Sequence, residues 1–138
     1  ISAYQTSAKD FFTALQSWQV DLVLDIRLHN TTQLDGFTKE KDLAYFVEQI
    51  DHATYVHDVE FAPRDQDLHD YLHHTLSWEG YSAAYERDLR ERGAIADFFK
   101  KYGTYTSIAL VGTATKKRRS HSEILAAQIE KAMQSHAA

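Results

Sequence analysis

The chain has no cysteine in its 138 residues, a single proline at Pro63, and five glycines. The missing thiols remove disulfides, thiolate nucleophiles, cysteine-ligated zinc and iron–sulfur clusters together, leaving histidine and carboxylates as metal ligands. No window approaches the roughly 18 consecutive apolar residues of a membrane-spanning helix. No basic segment followed by an apolar one opens the chain as in a secretory signal, so the expectation is no membrane association and a cytoplasmic location. No Pro/Gly/Ser-rich linker, internal repeat or low-complexity tract divides residues 1–138, which read as a single domain. Cofactor fingerprints are also missing. Gly112 lacks the second glycine and the Gly-Lys-Ser/Thr ending of a phosphate-binding loop, and neither a dinucleotide glycine pattern nor a Gly-x-Ser-x-Gly elbow occurs. No cofactor and no bound metal are expected. The net charge of −5 argues against broad nucleic-acid affinity across the surface, while leaving a local basic patch able to hold phosphate.

What is present is an ordinary globular composition, with 43% hydrophobic, 12% aromatic and 25% charged residues. The stretch from Asp21 to Phe37 organises the rest. Leu22, Val23, Leu24 and Ile26 form an apolar run with hardly a polar break, which indicates a strand covered on both faces, as in a parallel sheet flanked by helices. Asp25 and Arg27 then fall at the carboxyl end of that strand, and in open α/β sheets this is the edge where ligands bind.

Taken in order, Ile1 to Tyr4 reads as a possible strand, and Ser7 with Asp10 caps a helix from Ala8 to Ser17 whose apolar face is Phe11, Phe12, Leu15 and Trp18. A strand over Asp21–Arg27 is followed by a loop turning at Gly36. A helix then starts at Thr38 with the stripe Leu43, Phe46, Val47 and Ile50. Thr54–Val59 is a third strand, ended by Pro63. Helices follow over Asp65–Leu76, Glu79–Arg92 (stopped by Gly93) and Ala94–Lys101. Thr106–Val111 is a fourth strand. Ser120 and Glu123 form a capping box for a last helix whose apolar face is Ile124, Leu125, Ile129 and Met133. The fold expected is α/β: a three-layer domain with a mostly parallel four-stranded sheet flanked by helices. The helical insertion from Pro63 to Lys101, ahead of the last strand, is expected to cap the sheet edge.

The succession of Ile1-Ser2 before a capped helix, VDLVLDIR at 20–27, GFTKEKDL at 36–43, YVHDVEFAP at 55–63 and ALVGTATKKRRSHSEILA at 109–126 resembles the bacterial domain-of-unknown-function 488 family over nearly the whole chain. Asp25 with Arg27, and Tyr55 with His57, are its best markers. The resemblance implies a fold and a site location more than an activity. It also implies Cys-Ala-Glu where this chain has Gly112, Thr113 and Ala114, and Cys-His-Arg where it has Ser120, His121 and Ser122. Of those six positions only the histidine is kept.

Four constellations carry chemistry. Lys116, Lys117, Arg118 and Arg119 precede a helix starting at Ser120, where unsatisfied N–H groups and the helix dipole favour an anion; the other reading is a solvated charge run. Asp25, Arg27, His57, Glu60 and His121 gather near one sheet edge, either as acid–base or ligand-binding groups or, for Asp25 and Arg27, as an ion pair clamping loop to strand. His69, His73 and His74 lie among Asp65, Asp67 and Asp70, but without the glutamate of a metalloprotease helix they read as a solvated polar face. Trp78, Tyr81, Tyr85, Phe98 and Phe99 read as core. The leading expectation is a small anionic, phosphate-bearing ligand held between the 27–36 and 112–121 loops by Arg27, His57, Arg118, Arg119 and Ser120. One alternative is a hydrolase or transferase with Asp25 or Glu60 as base and His121 as acid. The other is a nucleic-acid or protein interaction module using Lys116–Arg119.

Overall fold

A computed structural model describes residues 1–31 and 33–137, apart from the side chains of 33–35, 136 and 137. Leu22–Asp25 (β1) lies between Thr54–His57 (β2) and Ile108–Val111 (β3), both parallel to it, in the order β2-β1-β3. Asp25 stands opposite His57 on one side and Val111 on the other. Among the described residues the sheet therefore has three strands rather than four. Ile1 to Tyr4 does reach the outer edge of β3, where Gly112 N–H donates to the Ile1 carbonyl and Ala3 N–H to the Gly112 carbonyl, both across 2.9 Å. The contact closes as a single bridge between Ser2 and Gly112. Tyr4 N–H then turns onto the Ser2 hydroxyl, and Gln5 takes a left-handed φ of 56°, so the segment bends away before a ladder can grow.

Helices cover both faces. On one lie Ala8–Ser17 (α1) and Glu40–Phe46 (α2), the latter running on as a π-helical turn to Asp51; Asp65–Leu72 (α3) follows β2. On the other face lie Trp78–Arg92 (α4), Ala94–Tyr102 (α5) and His121–Ala137 (α6). Side-chain alternation along β1 explains why its sequence is almost unbroken: Leu22, Leu24 and Ile26 pack with Tyr85, Leu89, Phe98 and Leu125, while Val23 packs with Phe11, Leu15, Leu43 and Val111. Each such buried aliphatic side chain contributes on the order of 1.5–3 kcal/mol. The same alternation carries Asp25 to the Val23 side.

The element boundaries differ where end chemistry outweighs period. Ser7 caps α1 as expected, its hydroxyl accepting from Asp10 N–H. The helix also ends at Ser17 as expected, but Trp18, counted on its apolar face, is left 54% exposed as the chain turns at Gln19. The expected helix from Thr38 begins at Glu40, and the π-helical turn rotates Ile50 outward, so the stripe keeps Leu43 and Val47 but loses Ile50. The helix expected to Leu76 ends at Leu72, and Ser77 caps α4 through Gly80 N–H. Of the expected cap over the sheet edge, only α3 lies there: α4 and α5 supply Tyr85, Leu89 and Phe98 to the core. No helix among the described residues is long and apolar enough to cross a membrane.

Candidate functional site

Asp25 ends β1 with its side chain fully enclosed, and three neighbouring side chains donate to its carboxylate. Arg27 makes a two-pronged bond to it, Nε to Oδ1 at 2.8 Å and Nη2 to Oδ2 at 2.7 Å. Oδ2 also accepts from the Tyr55 hydroxyl at 2.6 Å and from the Asn30 amide at 3.1 Å. The remaining reach of Arg27 goes to Thr38, whose carbonyl accepts from Nη2 at 2.6 Å and whose hydroxyl lies 3.3 Å from Nη1. Burial pushes the Asp25 carboxyl up, but the Arg27 guanidinium and the Tyr55 and Asn30 donors outweigh it and hold the group below the usual carboxylate range. Tyr55 moves the other way, raised first by burial and then by the Asp25 charge. The pair is a dry, charge-assisted clamp that ties the strand to the loop and to the start of α2.

Two imidazoles hold the next carbonyls of the same strand exit. His121 lies 2.7 Å from the Ile26 carbonyl and His57 2.7 Å from the Arg27 carbonyl, in each case through Nε2. A carbonyl can only accept, so both Nε2 atoms carry a proton. Burial lowers the His121 pKa to about 4, overcoming the opposite pull of its Ile26 bond and of Asp25. The ring is therefore neutral at pH 7, with Nδ1 free to accept from the Ser120 hydroxyl 3.3 Å away. That hydroxyl in turn accepts from Thr113 N–H at 3.1 Å and Ser122 N–H at 3.4 Å. Ser120 thus joins the β3–α6 loop to the first turn of the helix, while Glu123, the far half of the expected capping box, bonds Arg119 instead.

The basic run divides into three roles. Thr115 and Arg118 exchange backbone hydrogen bonds of 2.9 and 3.3 Å across a tight turn, which leaves Lys116 and Lys117 exposed at its tip. Arg119 lies over the Trp78 ring, 4.2 Å from its centre, and its Nε donates to Glu123 at 2.6 Å. Arg118 turns into a cavity of about 90 Å³ at the carboxyl edge of the sheet. Its guanidinium makes a contact of 3.5 Å with the Thr113 carbonyl and meets no carboxylate among the described residues. Thr113, Tyr4, His29 and His121 also line this cleft, together with Leu28, Leu68 and Leu72.

Of the residues singled out from the sequence, Asp25, Arg27, His57, Ser120 and His121 come together at one strand exit, and Arg118 lines the adjoining cleft. Arg119 does not join them. Glu60 is apart as well: its carboxylate accepts from Lys101 at 2.8 Å, and burial and a hydrogen bond with Asp97 raise its pKa. Thr32, inside the expected 27–36 binding loop, lies outside the described residues. His69 and His73 stack their rings at 4.1 Å, and His74 falls beyond the end of α3. Among the described residues no group of three histidines or carboxylates could hold one metal ion. Asn30 and Thr38 were not foreseen, because a lone amide or hydroxyl in a polar loop carries no pattern. Tyr55 stood out only as a marker of the resemblance, although on β2 it alternates to the same face as Asp25. A larger, apolar cavity of about 280 Å³ between α5, β3 and α6 contains none of these groups.

The resemblance placed cysteines at 112 and 120, and the structure explains why the first position is glycine here: a Cβ on Gly112 would stand 2.7 Å from the Ser120 hydroxyl and 2.8 Å from the Ser122 Cβ. The serine side chains fill the space that a side chain at 112 would need.

No curated protein matches the chain, and no solved structure does. The family model described as Domain of unknown function DUF488 matches residues 7–129, from the cap of α1 through the first half of α6, and the chain belongs to that family.

Proposed function

We propose that this protein binds a small anion in the cleft at the carboxyl edge of its sheet, with Arg118 as the receptor. The observation that carries this reading is the Arg118 guanidinium, half-buried in a concave site and met by no carboxylate among the described residues. A cation so placed attracts anions more strongly than one in bulk water. The cleft is about the volume of three water molecules, enough for one oxyanion headgroup. Arg27 and His57 support the site from below rather than as direct contacts, since they hold the Asp25 carboxylate and the strand carbonyl. The acid–base alternative draws no support from Asp25 and His121: the first is surrounded by donors and the second is a neutral imidazole bonded to a carbonyl.

The test is thermal unfolding against phosphate, sulfate, simple carboxylates and short oligonucleotides at low and high salt. A ligand at ~100 times its dissociation constant adds about 2.7 kcal/mol, which shifts the midpoint by several degrees. The shift is expected with a small anion, to vanish in Arg118→Ala, and to survive in Arg119→Ala. A shift that persisted without Arg118 would sink the proposal, and one seen only with oligonucleotides at low salt would favour the interaction module.

A further inference from the structure

Resting on the anion site just described, we infer that its ligand is a monovalent carboxylate carrying a short apolar body, rather than a phosphate. Two observations set the class. The first is charge. Arg27 lines the cleft but is neutralised by its two-pronged pair with Asp25, His29 faces the Asp65 carboxylate at 3.3 Å, and the imidazole of His121 donates to Ile26. Arg118 therefore leaves one uncompensated positive charge among the described cleft residues, which balances a monoanion and undercompensates a phosphate dianion. Its flat, forked guanidinium also matches a planar carboxylate.

The second is the wall. Leu28, Pro63, Leu68 and Leu72 line the same cleft. An inorganic oxyanion would leave this apolar surface without a partner, whereas an alkyl or aryl group would cover it. Leu68 and Leu72 come from α3, which buries none of its residues fully, and Leu72 is exposed, so a body longer than the resting volume runs out of the cleft along this wall toward solvent. The ligand class is thus a small aliphatic or aromatic carboxylic acid, its headgroup on Arg118 and its body against α3.

The experiment is calorimetric titration of the full chain with inorganic phosphate, acetate, butyrate, hexanoate and benzoate. Affinity is expected to rise by about fourfold for each methylene that is buried, with butyrate binding more tightly than phosphate. Leu68→Ser is expected to flatten the chain-length series, and Arg118→Lys to weaken every carboxylate by losing the fork. Phosphate binding that exceeds butyrate and disappears in Arg118→Ala would overturn the carboxylate inference while preserving the anion site. A flat series in the wild-type protein would overturn it in the same way. Absence of binding by every anion would end both.

Discussion

His121 Nε2 sits 2.7 Å from the carbonyl oxygen of Ile26 and donates its proton to it, joining the first residue of α6 to the exit of β1 across 95 positions of sequence. This bond makes the histidine a donor with a fixed tautomer, and its enclosure keeps the ring uncharged. A group placed by sequence as a potential acid thereby becomes part of the frame that holds the site.

That placement predicts a pH dependence. The folded-state pKa of His121 is about 4 against an unfolded value of 6.5, so the unfolded chain binds the extra proton between these limits. Its contribution to stability is full above pH 6.5 and is lost as pH falls through 4, at up to about 1.4 kcal/mol per pH unit. Urea unfolding followed from pH 7 to pH 4 measures it. His121→Gln, whose amide can still donate to Ile26, is expected to remove this part of the slope; an unchanged slope would assign it elsewhere.

The Asp25–Arg27 clamp predicts unequal costs. Arg27→Leu leaves a buried carboxylate without its countercharge and is expected to cost about 3–5 kcal/mol. Tyr55→Phe removes one hydrogen bond to the same carboxylate and is expected to cost about 1.5–3 kcal/mol. In the wild-type chain the lowered Asp25 pKa contributes stability above the unfolded value of 3.8, lost as pH falls below it. Without Arg27, burial raises that pKa, so the Arg27→Leu deficit should shrink between pH 8 and pH 5. A deficit that stayed constant would show that the carboxylate had found another partner.

Gly112 predicts a packing penalty with no backbone component. Its alanine variant places a Cβ against the Ser122 Cβ at 2.8 Å, a contact that rotation of a hydroxyl cannot relieve. We expect a loss of about 1–3 kcal/mol, read from the shift in denaturant midpoint at constant slope. A neutral Gly112→Ala would mean that the first turn of α6 yields easily.

Arg119 predicts the opposite, a small effect. Its contact with Trp78 and its pair with Glu123 are exposed, and Arg119→Ala is expected to cost less than about 1 kcal/mol. Anion affinity should not change, because the side chain does not line the cleft. A double-mutant cycle with Glu123→Ala measures the pair, and a coupling well above that value would make the Arg119–Glu123 pair a larger part of the loop's stability.

Much of the architecture was legible because it follows from local pattern. The almost unbroken run at Leu22–Ile26 indicated a strand covered on two faces, and Ser7, Gly93 and the spacing of Phe11, Phe12 and Leu15 marked helix ends and buried faces by chemistry within a few residues. The overcounted strand at Ile1–Tyr4 shows the limit: a short segment becomes a strand only if the neighbouring edge accepts its whole length, and that depends on Gln5 and on Ser2, which turn it away after one bridge.

From period alone the sequence placed Asp25, Arg27, His57, Glu60 and His121 near one sheet edge, with Arg118 in the loop beside it, although Glu60 turns instead to Lys101. Only tertiary structure decided what each does. Asp25 and Arg27 are neutralised by one another because both are enclosed by Thr38, Asn30 and Tyr55, residues distant in sequence. His121 is neutral because the Ile26 carbonyl and the core meet it from the opposite end of the chain. Of four consecutive cations, a tight turn sends two to solvent, one to Trp78 and one to the cleft. The physical reason is common to all three: charge state and accessibility depend on how many partners surround a group in space, and the partners come from elements far away along the chain.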